Sequence, residues 1–141
     1  MKNLLKTQSL LFILLAILFT SCVETYSEDS YYIDNKSNSV LYVQFQDKYG
    51  GNEWELITIP KNSYTRIYAY GYIGEMHDKL DDFLTHYFDH LHITLDSRGE
   101  IKIKKDYTSS NNWEYDPVPS NKRKNLGINN YIFTVNDDDL E

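Results

Sequence analysis

Residues 64–73 read YTRIYAYGYI. In an extended chain successive side chains point to opposite faces. This stretch therefore splits into Arg66, Tyr68, Tyr70 and Tyr72 on one side and Ile67, Ala69, Gly71 and Ile73 on the other. Aromatic and β-branched residues at this density suit a pleated, half-buried surface. The segment predicts one long strand and, with it, an all-β fold.

The same period of two recurs outward in both directions. Leu41, Val43 and Phe45 share a face of 40–46 (VLYVQFQ), 54–59 (WELITI) stops at Pro60, and Leu91, Ile93 and Leu95 alternate before 131–135 (YIFTV) closes the series. The cluster 35–39 (NKSNS) reads as a hairpin turn between 31–34 and 40–46. Residues 96–99 (DSRG) read as a type I turn that pairs 91–95 with Ile101 and Ile103.

Between 75 and 90 the period changes. Met76, Leu80, Phe83, Leu84 and Tyr87 fall at helical spacing with Asp78, Asp82 and His86 opposite, which predicts one short helical insertion. Residues 106–130 are polar and hold Pro117, Pro119 and a basic run at 122–124, so they are expected to form a surface excursion pinned by Trp113 and Leu126. About seven strands with that insertion predict a single antiparallel β-sandwich of immunoglobulin-like type over 31–136. Composition agrees: 13 Tyr, 6 Phe and 2 Trp are more than a helical domain of this size would carry.

The first 21 residues differ from everything after them. Lys2 and Lys6 precede an unbroken apolar run at 10–19 (LLFILLAILF), closed by Thr20, Ser21 and Cys22. The run is about half of the ~20 residues that a membrane-spanning helix needs, and it has the layout of an export signal. The end Phe19, Thr20, Ser21, Cys22 resembles the lipobox of bacterial lipoproteins, which implies cleavage before Cys22 and lipid on its thiol. Cys22 is the only cysteine, so no internal disulfide forms. Two or more acyl chains give stable anchoring where one does not. On this reading 1–21 is a signal peptide, 22–30 a lipidated cysteine with an acidic tether, and 137–141 an acidic tail.

Cleavage would leave 120 residues, enough to bury a core without disulfides. The net charge of −7 would become −9, with 12 basic residues left against 21 acidic ones. An acidic surface repels phosphate backbones, so nucleic acid is not an expected partner.

The mature chain resembles a group of short surface lipoproteins from gut Bacteroidota. Three segments carry the likeness: Tyr32, Ile33, Asp34 and Asn35; residues 88–96 (FDHLHITLD); and the ending 131–135 followed by acids. The resemblance implies a β-sandwich at an outer-membrane, surface-exposed address, and it transfers no active-site residue.

Candidate sites follow from residue chemistry. Arg66, Tyr68, Tyr70 and Tyr72 could form an exposed stripe that stacks against sugars or anchors a protein partner; the opposite reading places the tyrosines in the core. His86, His90 and His92 lie within seven residues beside Asp82 and Asp89, and on one helix Asp82, His86 and His90 would form a ladder able to hold zinc. A helix that ends near 88 breaks that ladder. No serine sits in a Gly-x-Ser-x-Gly elbow. The expectation is a membrane-anchored, non-enzymatic binding module for glycan or protein, without cofactor or metal. A metal-dependent enzyme built on His86, His90 and His92 is the alternative.

Overall fold

Alternation becomes burial along the first strand. Ser27, Asp29, Tyr31, Ile33 and Asn35 are fully buried, while Tyr26, Glu28, Tyr32 and Asp34 between them keep solvent contact. The computed structural model describes residues 26–51, 53–120 and 126–140. In chain order these form β1 (Tyr26–Asn35), β2 (Leu41–Asp47), β3 (Trp54–Ile59), β4 (Ser63–Ile73), α1 (Phe83–Tyr87), β5 (Phe88–Thr94), β6 (Glu114–Pro119) and β7 (Gly127–Val135). A four-stranded sheet in the order β4-β1-β7-β6 packs against a three-stranded sheet in the order β3-β2-β5. The fold is all-β and sandwich-like, with inner side chains of both sheets in one core.

Several expectations are corrected. Strand β1 pairs with β7 in parallel, so the sandwich is not wholly antiparallel. Residues 35–39 do not close a hairpin; they carry the chain from one sheet to the other, with buried Asn35 donating to the Ser39 and Pro60 carbonyls at the corner. The expected tether ends sooner, because 26–30 already pair with β4 and β7. The helical insertion shrinks to the single turn of α1. The 91–95 and 101–103 pairing reduces to one bridge, Thr94 with Lys102, although Asp96 does accept from the Arg98 and Ile101 amides to make the turn. The 106–130 excursion contains β6, and its prolines are tolerated because β6 is an edge strand. Trp113 and Leu126 are buried, as a pin requires.

The most consequential correction lies in β4. Its register against β1 shifts between Tyr31 and Tyr32: Tyr68 pairs with Tyr31, Arg66 pairs with Tyr32, and Ile67 is the extra residue of a bulge. A one-residue insertion reverses the faces beyond it. Tyr68, Tyr70 and Tyr72 therefore line the interior, opposite Tyr31, Asp29 and Ser27, while Arg66 stays outside and pairs with Glu28 at 3.3 Å.

The core is aromatic. Tyr31 lies within 5.0–6.2 Å of the rings of Tyr68, Phe83, Tyr87, Phe88, Trp113 and Tyr131. Short as it is, α1 plugs one end of the sandwich through Phe83, stacked on Tyr131 at 4.3 Å. Such ring pairs add roughly 0.5–1.5 kcal/mol beyond the area they bury.

Candidate functional site

Two groups of polar and aromatic side chains stand out, one inside and one outside. The interior group surrounds Asp29, which β1 places on its inner face with no solvent exposure. A buried carboxylate survives only when donors surround it. Here Tyr87 Oη donates at 2.6 Å, Asn129 Nδ2 at 2.8 Å and Tyr72 Oη approaches at 3.5 Å. His77 Nε2 lies 2.9 Å away, and its Nδ1 faces the Asp78 carbonyl at 2.8 Å. Both ring nitrogens thus lie within hydrogen-bond distance of an oxygen.

The same group straps the 74–82 connection to the end of the sandwich. Tyr115 Oη sits 2.8 Å from the His77 carbonyl and 2.9 Å from Asn129 Oδ1. Lys79 Nζ donates to the carbonyls of Ser110 and Trp113, and Ser27 Oγ to that of Gly74. Burial and the Asp29 charge push the Tyr72 hydroxyl up to about 12. Burial, then the Asp29 hydrogen bond, raise Tyr87 further, and burial foremost raises Tyr31, Tyr68 and Tyr131. These phenols stay neutral across the ordinary pH range.

Of the sequence-predicted site residues, Tyr68, Tyr70 and Tyr72 come together, but around this interior. Arg66 is separated from them by the thickness of the sheet. The stripe is a wall of the core and not an exposed platform, which corrects the shared face assigned to the four residues.

The exterior group lies on the outer face of the three-stranded sheet. Register places Trp54, Gln46 and His90 in one row and Leu56, Gln44 and His92 in the next. Trp54 is 54% exposed, and its indole lies near-parallel to the imidazoles of His90 and His92, at 5.5 and 5.7 Å with interplanar angles of 16° and 14°. A bulge at β5 leaves Asp89 unpaired between Phe88 and His90 and turns both histidines outward. Burial, Lys102 and His90 hold His92 below the usual imidazole range. Beside the two histidines a cleft of about 230 Å³ opens, lined by Leu84, Thr85, Asp89, Leu91, Tyr107 and Thr108 among others.

The histidines are thus placed without forming a ladder: α1 ends at Tyr87, His86 leans on Tyr49 and Tyr87, and His90 and His92 belong to β5. Among the described residues no group of three or more His, Cys, Asp or Glu is placed to hold a metal ion. Cys22 and the signal-like segment lie outside the described residues. Among the described residues no helix is long and apolar enough to cross a membrane.

Sequence reasoning missed Asp29, His77 and Asn129, which are far apart in the chain: Asp29 and Asn129 meet because β1 and β7 pair, and His77 reaches them from the connection after β4. It also passed over Trp54, whose signal was available: Trp54 and Leu56 fall on the same face of an alternating segment. No family model, no curated protein and no solved structure matches this chain.

Proposed function

We propose that this chain is a lipid-anchored binding module of the bacterial cell envelope, held at the outer membrane through Cys22, that recognises a saccharide with the ring surface of Trp54, His90 and His92. The observation that carries the reading is a half-exposed tryptophan lying near-parallel to two imidazoles on an open sheet face. A sugar ring offers an apolar C–H face for stacking and hydroxyls around its rim. The indole suits the first; His92, kept neutral by its surroundings, and the neighbouring Gln44 and Gln46 suit the second. One such stack contributes on the order of 1 kcal/mol, so a small platform supports weak, roughly millimolar to sub-millimolar binding.

Binding is favoured over catalysis because Asp29 is enclosed by its donors and has no solvent-facing oxygen. The envelope address is supported by the lipobox-like end at Cys22 and by the likeness of 32–35, 88–96 and 131–135 to surface lipoproteins of gut Bacteroidota. An immunoglobulin-like relationship is supported by the count of seven strands in two sheets; the parallel β1–β7 pair departs from the ABED and CFG sheets of that family.

The test is a glycan array followed by calorimetry, using the Cys22→Ser chain with and without Trp54→Ala. Loss of roughly fivefold or more in affinity with unchanged folding is expected for Trp54→Ala, from the stacking energy above. Equal binding by both chains, or binding lost only in Tyr68→Ala, would remove the platform from consideration.

A further inference from the structure

The strands of the four-stranded sheet bring a second set of exposed apolar side chains to one end. Strand β1 begins at Tyr26 and β4 ends at Ile73, and these two residues pair; in the next outward-facing row Ile128, near the start of β7, pairs with Val118, near the end of β6. Ile73 is 89% exposed, and Tyr26, Val118 and Ile128 are exposed as well. Tyr26 lies flat along the sheet because residue 71 is glycine: a Cβ there would collide with its hydroxyl. Single exposed apolar residues are ordinary, but four in two adjoining rows at one end form a patch.

What lies against that end is indicated by the chain before it. Only three residues stand between Cys22 and Tyr26, which makes four steps along the chain, and a chain extends at most ~3.6 Å per residue, so Tyr26 stays within about 14 Å of Cys22 whatever path the segment takes. A lipid on Cys22 would hold the Tyr26 and Ile73 end at the height of the headgroups. Glu28 stands in the same row as Ile128 and Val118, but its carboxylate is ion-paired to Arg66 at 3.3 Å, so this end presents a tyrosine and aliphatic side chains with a paired charge among them, a mixture suited to the membrane–water interface.

We infer that Tyr26, Ile73, Val118 and Ile128 form a membrane-contact surface that seats this end of the domain on the phospholipid bilayer. The inference rests on the proposed lipidation of Cys22. It fixes the orientation of the domain: the turns at 36–40 and 96–99 at the opposite end point away from the bilayer, and the Trp54 face stands to the side.

The test uses the full lipidated chain in phosphatidylethanolamine–phosphatidylglycerol vesicles. With Cys22 occupied, Ile73→Cys and Arg98→Cys each offer one thiol for an environment-sensitive fluorophore. The expected result is a blue-shifted label at 73, quenched several-fold more by spin-labelled lipid than the label at 98. Vesicle-bound protein with both labels equally unquenched would overturn the seating while leaving the anchor intact. Protein that does not sediment with the vesicles would overturn the anchor and the seating together. Shielding at 73 that grows with protein density and ignores the quencher lipid would place a second copy there instead.

Discussion

The two tryptophans of the described domain make opposite use of the same side chain. Trp113 is 2% exposed, donates its indole N–H to the Tyr107 carbonyl at 2.9 Å and packs among Tyr31, Phe83 and Phe133. Trp54 is 54% exposed, and its indole lies against two imidazoles on its own sheet face. The histidines repeat the contrast. His77 has both nitrogens engaged by acceptors, one of them the buried Asp29, whereas His90 and His92 border an open cleft. Aromatic and imidazole content alone therefore does not define a site. What separates scaffold from surface is whether the polar edge of each ring is already satisfied.

Truncating both tryptophans tests that separation with the largest expected effect. Trp113→Ala should cost about 3–5 kcal/mol, the usual range for a large buried aromatic, and should expose a free carbonyl at Tyr107. Trp54→Ala should stay within about 0.5–1 kcal/mol, as surface substitutions do. Urea titrations followed by tyrosine fluorescence measure both. A Trp54→Ala loss approaching that of Trp113→Ala would make the outer platform a structural element and end its claim as a binding surface.

A second test uses pH, to which the two regions respond on opposite sides of neutrality. In the interior, Tyr72 is raised to about 12 and Tyr31, Tyr68, Tyr87 and Tyr131 are raised as well. The unfolded chain releases these phenolic protons near pH 10 while the folded chain keeps them. Their contribution to stability is complete below pH 10 and is lost as pH rises toward 12 and beyond. On the outer face His92 is lowered, so its contribution is present above the usual imidazole value and is lost as pH falls below it. Absorbance at 295 nm should show these five phenols silent at pH 10.5 in the folded protein, and melting temperature should fall steeply between pH 10 and 12. Titration of all tyrosines near pH 10 without unfolding would mean that the interior is wet.

How much of this could be read from the sequence depended on whether a feature was local. Period-two segments located β3 with its observed limits and the core of β2, β5 and β7, because alternation is a property of neighbouring residues. The bulge at Ile67 was not legible: a single inserted residue leaves composition and alternation unchanged, yet it turns Tyr68, Tyr70 and Tyr72 inward and strands Arg66 outside. Asp29 looked like one acid in a polar leader, since its partners His77, Tyr87 and Asn129 are supplied by distant elements. The corner at 35–39 has the residues of a hairpin turn. Its role as a passage between sheets is decided by Asn35, whose side chain bonds the Pro60 carbonyl 25 residues away.

The finest distinction lies within the interior itself, between Tyr87 and Tyr131. Tyr87 Oη gives Asp29 its shortest hydrogen bond, at 2.6 Å, and donors to a charged acceptor are worth about 1.5–3 kcal/mol. Tyr131 Oη is buried and has no hydrogen-bond partner among the described residues. Both rings pack in the same cluster, so replacement by phenylalanine removes the same atom from nearly the same surroundings. Tyr87→Phe should lose the full value of a charged hydrogen bond and leave Asp29 with fewer donors. Tyr131→Phe removes a hydroxyl that already carries the cost of desolvation, so it should be neutral or stabilising by up to about 1 kcal/mol. Paired denaturant titrations of the two variants decide the matter. A substantial loss in Tyr131→Phe would reveal a partner for that hydroxyl, such as an ordered water, and would extend the Asp29 network to the centre of the core.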